Sequence, residues 1–126
     1  SKENVLRGLH FQKKDSQGKL VSCIKGKIFD VFVDLRKESN TYKNWVGYFL
    51  SEEDNKFIYI PKGFAHGYSV ESSEALVHYK CTKTYNSDNE IGIIWNDPDI
   101  KIDWPKDNYI LSDRDLKNIQ LKELIL

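Results

Sequence analysis

Apolar and polar residues alternate along most of the chain, in runs too short for helices. Residues 5–12 read as a strand, 13–18 as a polar loop closed by Gly18, and 19–24 as a second strand. Lys25 and Gly26 make a tight turn into 27–35, where the alternation is cleanest. Phe29, Val31, Val33 and Leu35 share one face there, and Ile28, Asp30, Phe32 and Asp34 share the other. A polar connection over 36–43 leads to strands at 45–50 and 56–60, separated by an acidic turn at 51–55. Pro61 to Gly63 breaks the pattern, 64–70 resumes it, and 75–82 and 90–95 complete the series. Short strands about ten residues apart, with turn residues between them, predict an all-β sandwich or barrel. No βαβ spacing and no internal repeat appears. After an Asp/Pro-rich loop at 96–105 that holds Trp104, the period changes. Leu116, Ile119 and Leu124 fall near helical spacing, and Ser112 followed by Asp115 is a capping-box pattern. A short carboxy-terminal helix over 112–124, packed on the sandwich, is expected.

Composition narrows the function classes. The 126 residues are enough for one domain with its own core. Nineteen basic residues balance nineteen acidic ones, so no global field draws in nucleic acid or an anionic membrane. An anion site here must be local. No apolar run approaches a membrane span and no charged-then-apolar leader is seen, so the chain reads as cytoplasmic. Cys23 and Cys81 form neither a C-x-x-C pair nor a disulfide framework, and each sits in an apolar run, which predicts buried free thiols. There is no Met and the first residue is Ser. The chain is expected to be processed, trimmed, or lacking an amino-terminal part.

The chemistry-bearing residues centre on Leu6-Arg7-Gly8-Leu9-His10-Phe11-Gln12. Arg7 forks onto diphosphate or carboxylate oxygens, and His10 is the side-chain type whose unperturbed pKa lies nearest neutrality, which suits proton transfer. Gly8 allows close backbone approach. An ordinary strand with a surface Arg and a hydrogen-bonded His has the same residues. Strict alternation puts Arg7 and His10 on opposite faces, so one site can use both only if the strand bulges near Gly8. His66 and His78 complete the histidines, but their spacing matches metal ligands loosely. Tyr79 shares a face with Val77 and Cys81, an apolar setting in which a phenol stays protonated and can donate, or serves only as a core tyrosine. Lys19 opens the second strand and can hold a developing oxyanion, or is a solvated strand start. Asp115 can orient an imidazole, or only cap the helix. Asp30 is a candidate for a buried network.

Taken together, these stretches resemble the dTDP-4-dehydrorhamnose 3,5-epimerase family of cupin-type β-sandwiches. The resemblance rests on 6–12, on Gln17-Gly18-Lys19-Leu20-Val21, Phe29-Asp30-Val31 and Asp34-Leu35-Arg36. It continues through Pro61-Lys62-Gly63-Phe64-Ala65-His66-Gly67, Ile94-Trp95-Asn96-Asp97 and Leu111-Ser112-Asp113-Arg114-Asp115. It implies a cupin-type jelly-roll β-sandwich and an isomerase of nucleotide-linked 4-keto sugars that uses neither metal nor other cofactor. It implies His10 as the base with Asp115 as its partner, Tyr79 as the acid on the opposite face, and Lys19 near the ketone oxygen. Arg7, His66, Glu90 and Arg114 would bind the sugar nucleotide, Arg114 standing where relatives often carry Lys, and Tyr85 would stack on the base. It further implies a homodimer, and an amino-terminal segment of roughly fifty residues in relatives that this chain does not carry. The alternatives are an epimerase acting at one carbon or on a GDP- or CDP-linked sugar, a non-catalytic sugar-nucleotide binder, and a metal-dependent cupin.

Overall fold

The computed structural model describes residues 1–12, 18–81 and 90–124. Tyr85 and the side chain of Cys81 lie outside them. Among the described residues are eight strands: β1 Leu6–Gln12, β2 Lys19–Lys25, β3 Lys27–Asp34, β4 Trp45–Ser51, β5 Ile58–Ile60, β6 Phe64–Val70, β7 Leu76–Cys81 and β8 Glu90–Gly92. They form two sheets, one ordered β4-β3-β6-β1-β8 and the other β5-β2-β7, with every named pair antiparallel. Each strand expected from alternation is present, with ends shifted by a few residues. Gly26 carries the chain from β2 in the small sheet to β3 in the large one. Its φ of +80° is one that residues with a side chain rarely adopt, and a Cβ there would stand 2.1 Å from the Glu74 carbonyl oxygen.

The middle of the large sheet is covered on both faces, which explains why β3 is buried almost throughout. Its first face carries Phe29, Val31 and Val33 together with Leu9, Phe11 and Ala65. The chain's own carboxy-terminal portion covers it with Ile93, Ile100, Trp104 and Leu121. Trp95, Trp104 and Tyr109 pack edge-on or tilted beside Phe29 and Trp45, with ring centroids 6.1–6.5 Å apart. Its second face meets the small sheet. There Ile28, Leu50 and Val70 pack with Val21, Cys23 and Ile60. Burial raises the pKa of the Cys23 thiol, as expected of a free core cysteine.

The expected carboxy-terminal helix is much shorter than the periodicity suggests. One α-turn, α1, covers Asp113–Leu116, and a single 3₁₀ turn covers Leu121–Glu123. The competing force is tertiary backbone bonding. Ile110 pairs beside Val5 and Ile119 beside Ile93, so the chain is pinned to the sheet at both ends of this stretch. Leu116 is 55% exposed, so its helical spacing marks no buried face.

Candidate active site

Between the two sheets the apolar packing gives way to a cavity of about 450 Å³. Arg7, His10, Phe11, Gln12, His66, Gly67 and Tyr68 line it from the large sheet, Lys19 and Tyr79 from the small one, and Glu90 and Arg114 close one side. Eight of the nine expected site residues are described. Seven of those eight line the cavity, and the eighth, Asp115, reaches it through His10.

The parity conflict in β1 is resolved by a bulge. Arg7 pairs with Tyr68 and His10 with His66, so Gly8 and Leu9 together oppose Gly67 alone. The extra residue turns Arg7 and His10 to the same side. Two glycines make this close approach sterically feasible. A Cβ on Gly8 would lie 2.7 Å from the Gly67 Cα, and one on Gly67 would lie 2.7 Å from the Arg7 carbonyl oxygen. Gly8 also has a φ of +124°.

The bulge is where α1 docks. Ser112 caps the turn by accepting from the Asp115 backbone N–H at 3.1 Å. The Asp115 carboxylate does not return to the cap. It accepts from His10 Nε2 at 2.8 Å through Oδ1 and from the Gly8 N–H at 3.2 Å through Oδ2. The pattern at 112–115 thus serves as a cap in its backbone and as an imidazole partner in its side chain. Burial pushes the Asp115 carboxyl upward, but the hydrogen bond and charge of His10, with the Gly8 N–H and the Asn118 amide, outweigh it and hold the pKa below the usual range. The carboxylate therefore stays ionised and can only accept. Facing that carboxylate, Nε2 is the nitrogen that carries the hydrogen in a neutral His10 ring, and Nδ1 then has the lone pair a base needs. The His10 side chain is 28% exposed, enough to meet a ligand.

A second pair stands beside the first. His66 Nε2 donates to Asp30 Oδ1 at 2.6 Å, with both side chains almost wholly buried. The network expected at Asp30 is this pair. Arg114 and Glu90 form an ion pair at the rim.

Tyr79 departs from expectation. It shares the inward face of β7 with Val77, but the cavity mouth leaves it 56% exposed, so its setting is open and not apolar. Its ring lies beneath Lys19, whose Nζ is 6.0 Å from the ring centroid. His78 is exposed and does not line the cavity, as its place next to Tyr79 predicts. Among the described residues, no group of three His, Cys, Asp or Glu side chains gathers as a metal site.

Asn118 is a further member of the site that the sequence reading does not include. Its amide donates to Asp115 Oδ1 and to the Gly8 carbonyl oxygen, both at 3.3 Å, and it packs over Gly92 with no room for a Cβ there. Its position three residues after Asp115, on a stretch expected to be helical, was the one available signal.

The geometry has close relatives. A family model described as dTDP-4-dehydrorhamnose 3,5-epimerase matches residues 1–123. The chain is 52% identical over 126 residues to the enzyme of that name from Methanothermobacter thermautotrophicus, covering 98% of this chain and 68% of the relative. The solved dTDP-4-dehydrorhamnose 3,5-epimerase of Elizabethkingia anophelis superposes with a TM-score of 0.94 at 44% identity, over 98% of this chain and 69% of that one. The dTDP-6-deoxy-D-glucose-3,5-epimerase of Legionella pneumophila, solved with dTDP-4-keto-L-rhamnose, gives 0.93 at 46% identity, over 97% and 65%. The chain thus spans about two thirds of the length of these relatives. An all-β sandwich with the cupin-type jelly-roll arrangement, and a likeness that runs through every stretch forming the cavity, place the chain in the dTDP-4-dehydrorhamnose 3,5-epimerase family of isomerases.

Proposed function

We propose that this chain carries the catalytic centre of an epimerase that inverts C3 and C5 of dTDP-4-dehydro-6-deoxyglucose, giving dTDP-4-dehydrorhamnose. The observation that carries the reading is one cavity with a carboxylate-paired imidazole on the large sheet and a phenol and an ammonium on the small one. The ketone at C4 acidifies the neighbouring C–H bonds, since the electron pair left behind delocalises onto its oxygen. His10 Nδ1 takes the proton, and Asp115 stabilises the imidazolium that results. The Lys19 ammonium holds the enolate oxygen. Tyr79 returns a proton to the carbon from the opposite side, and the configuration inverts. The cycle leaves an imidazolium and a phenolate, and exchange with solvent restores both. The exposure of Tyr79 suits that step. Arg7 and Arg114 provide charge for the diphosphate, with Arg114 oriented by Glu90 and His66 by Asp30. Tyr85 is assigned the nucleobase.

The 126 residues act as one domain, in the cytoplasm, and pair as a homodimer. The open edge strand β4, with exposed Val46, Tyr48 and Phe49, favours association, and closed two-fold pairs are the commonest oligomers. No described helix is long and apolar enough to cross a membrane.

Deuterium oxide tests the chemistry. Turnover of dTDP-4-dehydro-6-deoxyglucose should place two deuterons in the sugar by mass spectrometry, and His10→Ala should abolish this. One deuteron means epimerisation at a single carbon. Stoichiometric binding of the sugar nucleotide without any exchange would sink the enzyme reading in favour of a binding module.

A further inference from the structure

Among the described residues, two phenols line the cavity, and the mechanism uses only Tyr79. The other, Tyr68, stands on β6 of the large sheet, and its ladder partners fix where it points. Tyr68 lies opposite Arg7 on β1 and opposite Asp30 on β3, so these side chains leave one face of the sheet in a single row. The next row, one pleat repeat or about 7 Å along the strands, holds His10, His66 and Phe32. The Tyr68 ring packs on the apolar cluster between the sheets and tilts against His66, with ring centroids 6.4 Å apart. A ring anchored on two sides has little freedom, so its hydroxyl is carried to a set place.

That hydroxyl has no hydrogen-bond partner among the described residues. It is not buried either. The buried side-chain polar atoms without a partner are Gln12 Nε2, Asp30 Oδ2 and Gln120 Oε1, and the Tyr68 oxygen is not one of them. It is an open donor on a side chain that faces the space between the sheets. A phenylalanine would pack the same ring, so the fold itself makes no use of the hydroxyl. Its row says what it meets. Arg7, directly across the ladder, carries a guanidinium that suits phosphate oxygens. Two donors side by side, one of them charged, fit a phosphate group, whose oxygens accept. His10 and His66 stand in the adjoining row, so this phosphate is the one next to the reacting hexose.

We propose that the Tyr68 hydroxyl donates to the β-phosphate of the sugar nucleotide, the phosphate bonded to the hexose, beside Arg7. This rests on the epimerase reading and adds a neutral donor to the diphosphate end of that site. Tyr68→Phe removes the hydroxyl and keeps the ring. On the whole chain, calorimetry with dTDP and with dTMP, steady-state kinetics with dTDP-4-dehydro-6-deoxyglucose, and thermal unfolding test the assignment. The affinity for dTDP should fall about tenfold, the loss of one hydrogen bond to a charged group. The affinity for dTMP, which has no β-phosphate, should stay as it was. kcat/KM should fall by a similar factor through KM, and the unligated protein should melt no lower. Affinity lost for the sugar nucleotide but not for dTDP would overturn the assignment, because the hydroxyl would then hold the hexose. An equal loss for dTMP would overturn it too, because the hydroxyl would then serve the nucleoside or its α-phosphate. Unchanged affinities would overturn it, whether the hydroxyl meets only water or, with a lowered melting temperature, serves the fold. If the unaltered protein binds dTDP but does not turn over the sugar nucleotide, the epimerase reading fails by itself, and the dTDP and dTMP affinities decide the Tyr68 assignment as before. Absence of dTDP binding by the unaltered protein would overturn both.

Discussion

His10–Asp115 and His66–Asp30 are the same two side chains at similar separations, 2.8 and 2.6 Å, built by opposite means. Asp30 and His66 sit on neighbouring strands, Asp30 opposite Tyr68 and His66 opposite Phe32, so the ladder sets them diagonally on one face. Little of either is open: the His66 side chain is 8% exposed and that of Asp30 not at all. His10 meets a carboxylate 105 residues away, carried in on a single α-turn against a bulge. The sheet can make a rigid imidazole cheaply, but it buries it. To leave the ring open to a substrate, the partner must come from outside the sheet. Under the proposed function the buried pair would position and the open pair would exchange protons.

That division is broken most directly by exchanging the effects of the two histidines. His10→Asn removes the base while keeping polarity and size near those of the ring. Turnover should fall by about 10²–10⁴-fold, with dTDP affinity unaltered. His66→Asn should act mainly on KM, and its kcat loss should be far smaller. Steady-state kinetics beside calorimetric dTDP binding check both. Equal kcat losses in the two variants would erase the distinction.

The carboxylates sharpen the contrast. Asp30→Ala strips an almost wholly buried imidazole of its acceptor, and leaving a buried donor without a partner typically costs about 1–3 kcal/mol. Its signature should be a lower urea midpoint. Asp115→Asn leaves the α-turn in place, because the cap uses the Asp115 backbone and not its carboxylate. Its stability should change less than that of Asp30→Ala, and its kcat should fall further. A larger stability loss in Asp115→Asn would mean that the open pair is the structural one.

Legibility follows the range of the interaction that decides each feature. Strands governed by alternation within a few residues were readable in β3 down to the division of faces: Phe29, Val31 and Val33 under the carboxy-terminal cover, Ile28 and Asp30 toward the small sheet. The bulge was readable too, because Arg7 and His10 could not otherwise meet. The spacing over 112–124 overstates the helix because it is local while its competitors, the pairing of Ile110 beside Val5 and of Ile119 beside Ile93, are not. Alternation gives the face of Tyr79 but not its surroundings, since face is local and the cavity mouth depends on both sheets. The partner of His66 could not be read: the register that sets Asp30 beside it spans 36 residues.

The smallest effect tests how the open pair is held. Asn118 reaches Asp115 at 3.3 Å, a long bond, so Asn118→Ala should lower kcat only several-fold, as expected for loss of about 1 kcal/mol. The pH dependence is the better readout. Asp115 has a depressed pKa in the folded state, so its contribution to stability is present above the unfolded carboxylate value near 3.9 and is lost as pH falls through the folded value. The Asn118 amide is one of the groups depressing it. Without that amide the folded pKa rises, and acid unfolding should begin at higher pH. Asn118→Gln, which restores an amide one methylene further out, should recover part of the shift. If melting temperature against pH is parallel in Asn118→Ala and the unaltered protein, the amide acts only on Gly8 and Gly92 as packing, and Asp115 is held by His10 and the Gly8 N–H alone.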